Sequence, residues 1–220
     1  PTHLLLGVGM ALILSGPLRA AWRRPGLHTS WRELGPALFS AGLLTGVFTF
    51  LMMFAHPVTV ILAGARHRYF LTEVGQMAGV LGLIVTAGLL VGPMLLLLWR
   101  WRLPLGGVTA IWGLNTVVML ILDYEHVHAL WLAVGMILGA GLADGLAYWL
   151  RPGRTRPKAL HLWAFLAPVF LYSGYFTALL ATEGTRWTVH LWAGGVFLGG
   201  ATGFLLSLLV VLPGEVEGED

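Results

Sequence analysis

The sequence predicts an all-α integral membrane protein. We expect a polytopic bundle of about seven transmembrane helices, N-terminus outside and C-terminus cytoplasmic. Three observations carry that prediction. Of 220 residues, 57% are hydrophobic and only 10% charged, with a mean hydropathy of +0.81. The apolar residues lie in long continuous runs. The basic residues gather in three short clusters between those runs. An average soluble domain carries roughly 25% charged residues, and a water-facing surface needs about 25–35%. The composition excludes a soluble single domain and a disordered chain, and with no cysteine it excludes a disulfide scaffold.

A helix needs about 20 apolar residues to cross roughly 30 Å of hydrocarbon. Seven runs approach that length: Leu4–Leu18, Gly35–Phe54, Met77–Trp99, Pro104–Leu122, Ala129–Leu150, Leu160–Leu180 and Val189–Leu212. A transmembrane barrel would alternate apolar and polar residues, and these runs do not. The first run is short and holds Pro17. Its charges follow rather than precede it, so it reads as a span and not as a cleavable signal. Residues 1–220 read as one transmembrane domain.

Orientation follows from charge. Arg19, Arg23, Arg24 and Arg32 follow span one, Arg100 and Arg102 follow span three, and Arg151, Arg154, Arg156 and Lys158 follow span five. All three clusters fall on one side, which the positive-inside rule makes cytoplasmic. The net charge of +3 is therefore loop charge and not a nucleic-acid surface. Trp22, Trp31, Trp99, Trp101, Trp149 and Trp187 sit near predicted span ends, where amphipathic rings favour the headgroup layer. The expected location is a prokaryotic inner or plasma membrane. The long outer connection Pro57–Gln76 includes a stretch, Val58–Ala65, that reads as a short interfacial or re-entrant helix.

Glycines recur every four residues at Gly195, Gly199 and Gly203 in span seven, and at Gly135 and Gly139, then Gly141 and Gly145, in span five. Such spacing lets helix backbones approach closely. Packing within the bundle is the main expectation. Docking to other membrane subunits, or to a second copy, is the alternative use of those faces. The lipid bilayer is the one partner that composition requires.

Ionisable groups near a bilayer are costly and are functional candidates by default. Six of eight histidines fall on the predicted outer side: His3, His56, His67, His126, His128 and His190. Glu73, Asp123, Glu125 and Glu183 join them. The densest piece is the turn Asp123, Tyr124, Glu125, His126, Val127 and His128. Imidazole is the commonest side-chain ligand of zinc, copper and iron. His126 and His128 are the expected core ligands of a metal site, with His190 and His56 completing it. Asp123 and Glu125 are placed to accept the other ring N–H of a ligating histidine. Glu73, His67 and Asp144 are candidates for a second shell or a proton or cation route. Asp144 interrupts span five near its inner end, where Arg100, Arg102 or Arg151 is the expected partner. Asn115 in span four is expected to face the bundle and bond another helix.

No Walker A, Rossmann or His-Glu-x-x-His pattern is present, and no lysine lies in a span. Three readings remain. The first is a membrane metal-binding protein holding copper, zinc or haem at its outer face, in redox chemistry or metal delivery to a membrane complex. The second is a small-solute or metal-ion permease. The third is a non-catalytic subunit of a membrane complex.

Overall fold

The computed structural model describes residues 2–26, 29–122 and 129–211. Its architecture is an all-α polytopic bundle, with no strand among the described residues. The helices are α1 (Thr2–Leu14), α2 (Gly16–Trp22), α3 (Trp31–Leu51), α4 (Pro57–Val60), α5 (Glu73–Arg100), α6 (Gly107–Leu122), α7 (Ala129–Leu150), α8 (Pro157–Thr182) and α9 (Val189–Val210). Five of them, α3, α5, α7, α8 and α9, are long and apolar enough to cross a membrane.

Two of the seven expected spans differ in detail. The first is broken: α1 and α2 meet at a bend of 43° around Ser15. Pro17 lies just past the break and has no N–H to continue the ladder. The fourth starts late. Gly106 has φ +89°, in the left-handed region, so the helix begins at Gly107 and not at Pro104. Its 16 residues cover about 24 Å, less than the usual hydrocarbon thickness.

Neighbouring helices form a ring in the order α3, α6, α7, α8, α9, α5, and α5 closes it against α3. The broken α1–α2 pair packs outside the ring, on α3. Ser40 of α3 ties the pair down: its hydroxyl donates to the Leu14 carbonyl and accepts from the Leu18 N–H.

Small residues set the closest approaches. A Cβ on Gly135 would lie 2.4 Å from the Gly174 carbonyl oxygen, and one on Gly139 would lie 2.4 Å from that of Phe170. On α9, a Cβ at Gly203 would lie 2.0 Å from the Ala164 carbonyl oxygen, and one at Gly199 would enter the Tyr172 ring. α8 packs against the glycines at these four positions, as the main packing expectation held. Gly141 and Gly145 on α7 meet nothing within 4 Å.

The α3–α5 connection does not run over the surface. Residues 55–64 turn inward, and α4 packs against α5, α6 and α7 inside the ring. His56, Val58, Ile61, Leu62 and Ala63 are each at most 1% exposed. The depth follows from their partners. Thr86, about 20 Å along α5 from Glu73, donates its hydroxyl to the Ala55 carbonyl at 3.0 Å. Tyr175, about 10 Å from the end of α8, donates to the Leu62 carbonyl at 2.5 Å. Of the stretch Val58–Ala65, expected as a short interfacial or re-entrant helix, only residues 58–60 are α-helical, and the stretch lies inside the bundle.

Irregular backbone at that depth needs partners inside the protein, because hydrocarbon offers none. Side chains supply them. Thr59 donates to the carbonyls of Met53 and His56, and Thr185 donates to that of Ala63 at 2.6 Å. The Ala65 N–H donates to the Gly184 carbonyl. Gly82 makes room on α5, since a Cβ there would lie 2.9 Å from the Ala55 oxygen.

Candidate functional site: a buried polar centre on the re-entrant segment

The inward segment carries one titratable side chain to the interior. His56 precedes Pro57, and that dipeptide is itself a helix start: a capping side chain followed by proline at the first helical position. His56 has extended backbone geometry and its Nδ1 accepts the Val58 N–H at 3.3 Å. That bond fixes the tautomer. With Nδ1 accepting, the proton of the neutral ring sits on Nε2, which is then a donor. The ring is 1% exposed, and the side chain that hydrogen-bonds with it is Asn115.

Asn115 of α6 lies beside this imidazole. It is fully buried, as expected for a residue facing the bundle. Its Nδ2 donates to Thr49 Oγ1 at 2.5 Å, and Thr49 Oγ1 donates to the carbonyls of Thr45 and Gly46. Asn115 Oδ1 is the acceptor that faces the His56 Nε2–H, and neither atom has another partner among the described residues. The donor and acceptor sit together in an apolar interior, where buried polar groups are normally satisfied. Burial lowers the His56 pKa to about 4, with Asn115 acting in the opposite sense. At neutral pH the centre is uncharged.

His190 is exposed on the first turn of α9, Glu73 is exposed on the first turn of α5, and His67 is half-buried in the connection before it. His56 and His190 thus occupy different environments, core and surface. Among the described residues, no three His, Asp or Glu side chains gather at metal-holding spacing. His126, His128, Asp123 and Glu125 lie outside the described residues.

Asp144 has a different role from the one expected. It is 5% exposed and pairs with no arginine among the described residues. Its Oδ2 accepts the Gly106 N–H at 2.5 Å and its Oδ1 the Val108 N–H at 2.7 Å. These are amides at the start of α6 without a helical partner, and the dipole there favours negative charge. A carboxylate from α7 caps α6, which explains a buried acid without an ion pair.

Sequence reasoning singled out His56 and Asn115 separately but did not join them. It missed Thr49, Thr86, Tyr175 and Thr185, whose hydroxyls line or hold the segment. Their only signal is polarity within apolar runs, which threonine and tyrosine share with ordinary helix packing.

No family model, curated protein or solved structure matches the chain. The fold defines the class: a multi-pass helical membrane protein whose α3–α5 connection is buried inside the bundle.

Proposed function

We propose that the protein is a permease for a small uncharged polar solute, with the re-entrant segment and its His56–Asn115–Thr49 centre as the selective element. One observation carries the reading. Non-helical backbone is brought to the interior of a membrane bundle together with a donor on His56 and an acceptor on Asn115 that have only each other as partners. Discontinuous elements of this kind recur where transporters handle their substrates. A donor–acceptor pair in a neutral centre suits a hydroxyl or amide solute and disfavours a bare cation. The test is stopped-flow light scattering on proteoliposomes, with glycerol and urea as probes and copper(II) and zinc uptake measured in parallel. The reading expects permeation of glycerol or urea well above that of protein-free vesicles, reduced at least tenfold by Asn115→Leu in protein of normal helicity. Permeation equal to empty vesicles for both solutes overturns it.

The second reading keeps a copper, zinc or haem centre on His126, His128 and His190. In its favour, His190 is exposed on the first turn of α9. His56 fits this set poorly, because its Nδ1 lone pair is engaged and its Nε2 carries the proton. Elemental analysis and an optical spectrum of purified protein decide it. Stoichiometric metal lost in the H126A/H128A variant supports the centre, and metal-free, colourless protein removes it.

A further inference from the structure

At the arginine-rich end of the bundle a cavity of about 300 Å³ opens between the α5–α6 connection and the end of α7. None of its lining residues belongs to the polar centre, and it has no part in the proposed permease. Arg102, Arg151, Tyr148, Thr29 and Asp144 supply its polar lining. The two guanidiniums are exposed, and neither forms an ion pair among the described residues. The one carboxylate in the lining is Asp144, and its oxygens are already taken by the Gly106 and Val108 N–H groups. The lining thus holds one more positive than negative charge, with hydroxyls on Tyr148 and Thr29 as further donors.

The backbone favours this placement of charge at some cost. Arg151 has φ +50°, a left-handed conformation unusual for a residue other than glycine. It is the residue that ends α7 and turns the chain so that its side chain lines the cavity. The cavity also lies at a defined level. Trp99 and Trp101 flank the end of α5, Trp149 lies one residue before the end of α7, and the Trp31 indole donates to the Leu105 carbonyl at 2.9 Å. Tryptophans gather at headgroup depth. Basic pockets between helices at that depth bind lipid phosphates, and guanidinium geometry matches phosphate oxygens in pairs.

We propose that this cavity binds a phosphate monoanion through Arg102 and Arg151, as the phosphodiester of an anionic lipid headgroup or as free phosphate. Lipid-level placement makes the headgroup the expected source. The experiment uses the full chain purified in detergent, with native mass spectrometry and thermal unfolding as readouts. The probes are phosphatidylglycerol, phosphatidylcholine and inorganic phosphate. The variants are R102Q/R151Q and, as a charge-matched control outside the cavity lining, R154Q/K158Q. Tighter binding of phosphatidylglycerol than phosphatidylcholine, weakened at least fivefold in R102Q/R151Q and less than twofold in R154Q/K158Q, establishes a headgroup site. Binding of inorganic phosphate with the same dependence on Arg102 and Arg151 establishes the free-phosphate form. Equal loss in both double variants, or no binding by the wild type, overturns the site and leaves only general basic charge. Far-UV circular dichroism confirms that each variant is folded, and single R102Q and R151Q variants replace the double variant if it is not.

Discussion

Tyr175 of α8 donates its hydroxyl to the Leu62 carbonyl at 2.5 Å, across 113 residues of sequence. Leu62 sits between Ile61 at φ +44° and Ala63 at φ +66°, two non-glycine residues in the left-handed region. Such residues persist only where surrounding contacts hold them. The Tyr175 bond is one of those contacts, made where no water competes. Tyr175→Phe removes it and nothing else. We expect a loss of about 1–2 kcal/mol of stability, read as a lower unfolding temperature in detergent. An unchanged unfolding temperature would show that the segment is held without it.

Asp144 makes a second separable prediction. Asp144→Ala leaves the Gly106 and Val108 amides without an acceptor, and Asp144→Asn leaves one oxygen for two donors. Losing a cap and burying an unsatisfied amide costs about 1–3 kcal/mol. The order of stability should be wild type, then Asn, then Ala, in thermal unfolding. Equal stability of the two variants would mean that negative charge, rather than acceptor count, sets the effect.

The glycines sort by what lies over them. Gly203→Ala drives a methyl group against the Ala164 carbonyl oxygen, and Gly139→Ala drives one against that of Phe170. Each should lower the unfolding temperature clearly, with overpacking costs of about 1–3 kcal/mol. Gly141→Ala and Gly145→Ala meet open space and should be neutral or slightly stabilising, because alanine is the better helix former by about 1 kcal/mol. A large loss at Gly141 or Gly145 would reveal a partner packed on that face of α7.

Much of this was legible beforehand, for physical reasons. Apolar runs fix where helices form because the bilayer forbids alternatives, so Ala129–Leu150 has the same limits in sequence and structure. Gly135 and Gly199 announced close packing by spacing alone. Partners were not legible. Asp144 reads as needing a cation because charge is visible in sequence and a backbone amide freed by Gly106 is not. His56 reads as a metal ligand because a sequence shows the imidazole and not which nitrogen the Val58 N–H occupies. His56 and Asn115 lie too far apart in the chain for any local pattern to pair them.

His56 also sets a pH dependence. Burial takes its pKa from the usual 6.5 to about 4, so the unfolded chain binds a proton more readily than the folded one between those values. Stability from this group is fully present above about pH 6.5 and is lost as pH falls toward 4. The loss amounts to roughly 3 kcal/mol at its limit. Unfolding temperatures measured from pH 7.5 to 4.5 should fall more steeply for the wild type than for His56→Gln. Parallel curves would place His56 in a solvated setting.

The central claim is that residues 55–64 lie within the bundle and not across its surface. The chain has no cysteine, so single cysteines report without background. The direct measurement is labelling of Ala63→Cys and Arg66→Cys in sealed vesicles by a charged, membrane-impermeant maleimide. Arg66 is exposed and Ala63 is fully buried. The account predicts rapid labelling at position 66 and at least tenfold slower labelling at position 63 under native conditions, with both labelled after denaturation. Equal rates at the two positions in native vesicles would contradict it.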